Sequence, residues 1–134
     1  MKLLQLNMWG GRLSYQISDL LKDEMPDILC LQEAHSFGEQ SMPTFITVEE
    51  IQTLCKLDFS AAGPVYSFNY MNSKAHFGNY IISRYPILKS EVMFTYSSHN
   101  QNYKPSDDYN VRNFVHTEIQ TKMGKVDVVT HHGY

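Results

Sequence analysis

The feature that most constrains the fold is a strand, helix, strand order within the first 33 residues. The apolar run 3–7 ends before a Gly-Gly pair, which predicts a strand that leads into a loop. Ser14 is predicted to cap an amphipathic helix, and Pro26 is predicted to mark its end. The next segment, 27–33, is apolar on both faces, as in a strand covered on two sides. This order predicts two parallel strands joined by a crossover.

The rest of the chain predicts one short helix and a mainly antiparallel β region. Thr47 to Leu57 begins like a capping box, because Glu50 follows Thr47 by three residues. The later segments are rich in aromatic and β-branched residues, which favour strands. Strands are predicted at 65–71, 76–83, 88–96, 111–120 and 125–132, with a polar loop at 97–109 and a turn at 121–124. The expected fold class is α/β (α+β).

The composition predicts a globular chain with a modest acidic balance. Its hydrophobic residues make up 43%, and its formal net charge is -3. That charge argues against a general basic grip on nucleic acid, but carboxylates that hold a cation beside a phosphate are compatible with it. Cys30 and Cys55 are too few for a disulfide framework, and no stretch approaches the ~20 apolar residues of a membrane span. We therefore expect a reduced, cytoplasmic protein without a membrane span.

Three polar residues stand where apolar strands are predicted to end: Asn7, Glu33 and His132. The carboxyl ends of strands in sheets with parallel pairs are common ligand sites, because the loops there vary without disturbing the core. An amide oxygen, a carboxylate and an imidazole would suit a hard divalent cation and an anionic phosphate. Each residue also has a more ordinary interpretation, as a turn asparagine, a solvated glutamate or a structural histidine. The pattern alone leaves the function open.

Strand alternation separates the two neighbouring histidines near the end of the sequence. His132 shares a face with Val126, Val128 and Thr130, whereas His131 shares one with Lys125, Asp127 and Val129. The more apolar face is expected to point inward. His132 is therefore predicted to reach a site at the end of the core, and His131 to face outward.

Two further groups of residues have both a structural and a functional interpretation. Tyr66, Phe68 and Tyr70 could stack on bases, but alternate aromatic residues on a strand are more often core packing. Arg84 and Arg112 could contact phosphate, but a solvated or ion-paired state is the expectation for each. Neither group decides the substrate.

The amino-acid sequences of four segments show a specific resemblance to a known family. LQLNMW, PDILCLQE, FGNYIISRYPI and VDVVTHH occur in this order over nearly the whole chain. They resemble successive motifs of the endonuclease/exonuclease/phosphatase family, which includes deoxyribonuclease I-like enzymes, abasic-site endonucleases, inositol polyphosphate phosphatases, neutral sphingomyelinases and poly(A) deadenylases. The resemblance implies a two-layer mixed β-sandwich flanked by helices and built from two similar halves. Residues 1–134 are expected to form the N-terminal half, as one domain that is incomplete at its C-terminal end.

The resemblance also implies roles for four residues. Glu33 matches the glutamate that binds the catalytic Mg²⁺ (or Mn²⁺), and Asn7 matches the asparagine beside the metal and phosphate. His132 matches the histidine that contacts the scissile phosphate. Asn79 lies in the Gly-Asn-x-Ile-x-Ser-Arg motif, where a structural or substrate-orienting role is implied. The implied activity is metal-dependent hydrolysis of a phosphoester, of nuclease or phosphatase type.

Two later family motifs, Gly-Asp-x-Asn and Ser-Asp-His, do not occur in the sequence. They supply a water-orienting carboxylate and a second histidine, so this chain alone is expected to be inactive. An exposed apolar sheet face is also expected, covered by the missing C-terminal half or by a second copy. The alternative function is a non-catalytic half-domain that acts as an interaction or assembly module. The substrate stays open among DNA, RNA, inositol phosphates and phospholipid head groups.

Overall fold

The computed structural model describes residues 1–38, 44–70, 72–107 and 110–132. Its strands are β1 (Leu3–Asn7), β2 (Ile28–Ser36), β3 (Phe59–Tyr70), β4 (Ser73–Ser83), β5 (Ile87–Tyr96), β6 (Arg112–Thr121) and β7 (Gly124–His131). Its α-helices are α1 (Ser14–Glu24) and α2 (Val48–Cys55), and a 3-10 turn spans Trp9–Gly11. The last residue of the strand predicted at 65–71 and the last two of the loop predicted at 97–109 lie outside the described residues.

The strands form two sheets. The first sheet has the order β1-β2-β4-β3, in which β1 and β2 are parallel and the other neighbours are antiparallel. The second sheet is antiparallel and has the order β5-β6-β7. The predicted parallel pair, the antiparallel second part and the mixed α/β class are therefore confirmed.

Two apolar cores hold the layers together, one on each face of the first sheet. Both faces of β2 are buried, as its continuous apolar sequence predicts. The core under the helices includes Ile17, Leu21, Leu29, Leu31, Val48, Ile51, Cys55, Tyr80 and Ile82. The core between the sheets is Ile28, Cys30, Ala61, Ile81, Val115, Ile119 and Val128. The first sheet is thus the middle layer of three.

The two helices begin in different ways. The capping box of α2 is confirmed: the Thr47 side chain accepts from the Glu50 backbone N–H, and the Glu50 carboxylate accepts from that of Thr47. The predicted cap of α1 is wrong, since Leu13 holds the N-cap position and Ser14 is the first helical residue. The Ser14 carbonyl instead accepts from the Ser18 hydroxyl one turn later. Packing of Ile17 and Leu21, rather than a polar cap, stabilises this helix.

The third strand begins six residues before its predicted start at residue 65. The Gly-Pro pair at Gly63 and Pro64 favours a break, but here it lies inside the strand. Two structural facts explain the difference. The strand is at the edge of its sheet and its register shifts between Pro64 and Tyr66, where a missing N–H is tolerated. Gly63 also lets the sheets approach closely, because an added Cβ would collide with the Val115 side chain.

The second sheet has a face that no other layer of the described chain covers. The most exposed apolar side chains of this outer face are Val129, 55% exposed, and Met93, 63% exposed. Phe114 lies beside them, half-buried against His131. The sequence led us to expect an apolar sheet face, but this face also carries the polar Glu91, His116 and Asp127. We call its apolar part, Met93, Phe114 and Val129, the outer patch.

Both cysteines are free and buried. Burial in the inter-sheet core raises the pKa of the Cys30 thiol to about 11, so it acts as a small apolar residue. Neither described helix has the length and apolar character needed to cross a bilayer.

Candidate active site

Side chains from three separate strands or strand ends meet at one carboxylate oxygen, Glu33 Oε1. Asn7 Nδ2 donates to this oxygen at 3.1 Å, and His132 Nε2 lies 3.3 Å from it. The Glu33 side chain is 27% exposed and that of His132 is 33% exposed. The group is therefore partly shielded, yet open to a ligand.

The parallel pairing of β1 with β2 brings Asn7 to this point. Asn7 is the last residue of β1 and lies in register with Gln32, the neighbour of Glu33. Its Oδ1 accepts from the backbone N–H of Trp9 at 2.9 Å, which fixes the rotation of the amide. The amide nitrogen then points at Glu33 and holds the carboxylate in place.

Glu33 does not end its strand, and that part of the sequence prediction is wrong. Strand β2 continues to Ser36, and its register with β4 shifts between Leu31 and Ala34. Glu33 lies in this bulge with φ 52, a left-handed conformation that is unusual for a residue with a side chain. Bulges re-aim side chains and often lie beside functional sites. The bulge, not the strand end, turns the carboxylate toward Asn7 and His132.

The two histidines point to opposite faces, which confirms the alternation argument. His131 stacks on Phe114 on the outer face, with ring centroids 4.1 Å apart. Thr130 faces inward, and its hydroxyl accepts from Gln32 Nε2 at 2.6 Å. This buried bond joins β2 to β7 immediately before the two site residues. It therefore fixes the distance between Glu33 and His132.

Asn79 lies in the wall of the site within a buried amide network. It is 2% exposed, and its Nδ2 donates to both the carbonyl and the Oδ1 of Asn113, at 3.1 and 2.8 Å. Asn113 in turn donates to the Gly63 carbonyl at 2.9 Å. The network ties β4, β6 and β3 together behind the Glu33 carboxylate.

A cleft of about 20 Å³ opens between these groups, enough for a water or a small ion. We call it the site cleft. It is lined by Glu33, Val65, Phe77, Gly78, Asn79, Val111, Arg112 and His132. Arg112, for which the sequence allowed a phosphate contact but favoured a solvated or ion-paired state, is thus the cation in its wall. Arg84 lies elsewhere, paired with Asp27 at 3.2 Å.

Hairpin register was the signal that could have identified Arg112. The turn predicted at 121–124 pairs Thr121 with Gly124, and the same ladder pairs Phe114 with His131. Continued by one residue, it sets Asn113 opposite His132 and brings Arg112 to the same end of the sheet. A search for polar residues that follow strands misses a residue at the start of one.

The donor types at the site cleft fit a hard divalent cation. Mg²⁺ in proteins is often held by one or two carboxylates together with waters and substrate phosphate. Glu33 supplies one carboxylate, and Asn7 supplies an amide oxygen with a second lone pair. Among the described residues no cluster of three or more His, Cys, Asp or Glu side chains surrounds a common point. A cation here would therefore depend on waters and substrate for much of its coordination.

Comparison with known proteins agrees with the geometry. The family model described as "Endonuclease/Exonuclease/phosphatase family" matches residues 4–121. A search of curated proteins gave no match.

Solved structures share the fold at low sequence identity. An endonuclease/exonuclease/phosphatase from Beutenbergia cavernae DSM 12333 superposes with a TM-score of 0.70 and 17% identity, over 98% of this chain and 38% of that one. An endonuclease/exonuclease/phosphatase family protein from Leptotrichia buccalis C-1013-b gives 0.62 and 14%, over 98% and 53%. The chain thus spans between about a third and a half of these relatives. Since the family model covers most of its residues, the chain belongs to the endonuclease/exonuclease/phosphatase family.

Proposed function

We propose that the site cleft is part of the centre of a phosphoester hydrolase that depends on Mg²⁺ or Mn²⁺. The observation that carries the proposal is the meeting of Asn7, Glu33 and His132 at one oxygen beside a cleft with a cationic wall. A carboxylate for a cation, and an arginine and a histidine for a phosphate, are the groups that this chemistry needs. Family membership supports the same reaction class.

Each residue has a distinct part in the proposed reaction. Glu33 binds the cation, and Asn7 orients the carboxylate and offers its amide oxygen. His132 and Arg112 contact the scissile phosphate from the second sheet. Asn79 holds β6 in place through Asn113 and so positions Arg112 as well as the cleft wall.

When bound, the cation would polarise a phosphoryl oxygen and stabilise charge on the leaving oxygen. The chain's own groups must keep the phosphate in line for attack by water. A base to orient that water is part of the reaction, and the described residues around the cleft contain a single carboxylate, Glu33. We propose that further groups, supplied by a C-terminal half, complete the domain. The cytoplasmic location expected from the sequence stays a prediction.

Metal binding tests the proposal without requiring turnover. Titration of Mn²⁺ into the 134-residue protein, followed by electron paramagnetic resonance, should show a site that Glu33→Gln removes. The substitution keeps the size of the side chain and removes its charge. Glu91→Gln, an exposed carboxylate on the second sheet, is the matched control and should leave binding unchanged. Equal Mn²⁺ binding by wild type and Glu33→Gln would contradict the proposal.

A second candidate function is an interaction or assembly module, and the outer patch is the observation that favours it. Large exposed apolar patches commonly mark protein contacts. Sedimentation of the 134-residue protein should then show self-association that Met93→Gln weakens. A monomer at all concentrations would count against this candidate.

A further inference from the structure

A cluster of aromatic side chains lies outside both apolar cores, beside the site cleft. Tyr66 stacks on Phe77 with ring centroids 4.6 Å apart and planes inclined by 16°. Tyr103 stacks on Tyr66 at 4.2 Å and 22°. All three rings are half-buried, although core packing was the sequence expectation for Tyr66. The three nearly parallel rings form a stack that we call the platform, with Tyr66 between its two neighbours and Tyr103 at one end.

The platform is part of the wall of a groove of about 620 Å³. Its lining combines aromatic faces, amide side chains and one cation: His35, Tyr66, Phe68, Asn69, Asn102, Tyr103, Lys104 and Pro105. The volume lies in the range typical of small-molecule sites, and the mixture of π faces with a few polar groups is the usual lining of such sites.

The groove adjoins the site cleft. Phe77 is in the wall of the cleft, and Tyr66, which stacks on it, is in the wall of the groove. His35 on β2 and Tyr66 on β3 lie on either side of Phe77 on β4. The two residues are therefore two strand spacings apart, or about 10 Å. A ligand phosphate at Glu33 could therefore carry a ring that reaches the groove.

Backbone hydrogen bonds hold the loop that bears Tyr103. Ser67 N donates to Asn100 O at 2.7 Å, and Asn100 N donates to Val65 O at 3.0 Å. Tyr103 N then donates to Ser67 O at 2.8 Å. The loop is thus fixed along the edge of β3, and Tyr103 is in position before a ligand arrives. Such preorganisation reduces the entropy lost on binding.

We propose that this groove binds the base of an unpaired nucleotide whose phosphate lies at the open side of the site cleft, beside Glu33 and His132. The inference rests on the proposed function and names its substrate class. Aromatic faces stack on any base, and the amides of Asn69 and Asn102 can hydrogen-bond to base edges. Lys104 at the rim is placed to meet an adjoining phosphate.

The lining of the groove favours a nucleotide base over the inositol and choline groups of other possible substrates. An inositol ring has no π face to stack on Tyr103, and its many hydroxyls need more polar partners than two amides supply. A choline head group would suit an aromatic cage, but Lys104 repels a cation there. A paired base is already stacked in its duplex, so the occupant is unpaired.

Binding of matched phosphates tests the assignment. With Mg²⁺ present to hold the phosphate beside Glu33, calorimetry would compare AMP with ribose 5-phosphate, which lacks the base. AMP should bind about fivefold to 150-fold more tightly, the range that corresponds to stacking of one base. Tyr103→Ala should reduce AMP binding to the level of ribose 5-phosphate. Tyr103→Phe keeps the ring and should retain the preference.

Tyr15→Ala is the matched control, because Tyr15 is 83% exposed on α1 and outside the groove. Equal binding of AMP and ribose 5-phosphate, or no AMP binding at millimolar concentration, would overturn the assignment. So would tighter binding of inositol 1-phosphate or phosphocholine than of AMP. The Mn²⁺ titration separates the two proposals. If Glu33-dependent Mn²⁺ binding is present but AMP shows no preference over ribose 5-phosphate, the base-binding groove is rejected and the proposed function is not.

Discussion

The two sheets of this domain differ in how they are covered. The first sheet has the helices on one face and the second sheet on the other, so β2 is buried on both sides. The second sheet buries only its inner face, and its outer patch meets solvent. From this difference we expect side chains of the doubly covered first sheet to contribute more to stability than those on the outer face of the second.

The candidate site lies at the seam between these unequal layers. Asn7, Glu33 and Asn79 come from the first sheet, and Arg112 and His132 belong to the hairpin of the second. The buried Gln32 to Thr130 hydrogen bond joins the two sides. The geometry of the site therefore depends on how firmly the thinner layer is held against the thicker one.

The largest expected effect is loss of a side chain from the doubly covered sheet. Ile81→Ala removes a fully buried side chain from the inter-sheet core and should lower the free energy of unfolding by about 2–5 kcal/mol. Val129→Ala on the outer patch should change it by no more than about 0.5 kcal/mol. Urea unfolding of both variants measures the contrast. Similar losses in the two variants would contradict the comparison.

An intermediate effect is expected where the two sheets are closest. In Gly63→Ala the added methyl group meets the Val115 side chain and should destabilise the protein by about 1–3 kcal/mol. The variant should also disturb the Asn113 amide that donates to the Gly63 carbonyl. Because both changes act at one contact, Val115→Ala should cost less in the Gly63→Ala background than in the wild type, and additive losses would place the strain elsewhere. Thermal unfolding is the measurement.

A smaller effect is expected from protonation of His35 on the first sheet. Burial lowers the pKa of His35 below 6.5. The hydrogen bond to the Gly10 carbonyl acts in the opposite direction and raises the pKa, whereas the nearby Arg12 charge lowers it further. The folded state thus favours the neutral ring, so this contribution is present above about pH 6.5 and is lost as the pH falls below that value. His35→Gln should show a weaker decline of stability between pH 7 and 5 than wild type. Identical slopes in urea unfolding at each pH would contradict this assignment.

Local patterns predicted the elements well where one physical signal dominated. The capping box of α2, the buried run of β2 and the inward face of His132 followed from hydrogen-bonding and periodicity rules. The early start of β3 did not, because Gly63 and Pro64 signal a break unless the opposite sheet and the edge position are known.

Long-range pairing decided what local rules missed at the site. Arg112 came into the site cleft through the register of the β6 and β7 hairpin, and Tyr103 reached Tyr66 through a loop bound along β3. Of the aromatic residues on β3, Tyr66 is part of the platform, and the sequence pattern of β3 could not show this because its partners Phe77 and Tyr103 come from other segments.

The backbone conformation of the bulge at Glu33 aims the carboxylate at the site but destabilises the fold. A left-handed backbone costs on the order of 1–3 kcal/mol for a residue with a side chain, and glycine adopts it without that cost. A mutation to glycine at position 33 would thus relieve strain and delete the carboxylate in the same step. Stability and Mn²⁺ binding should therefore respond to Glu33→Gly in opposite directions.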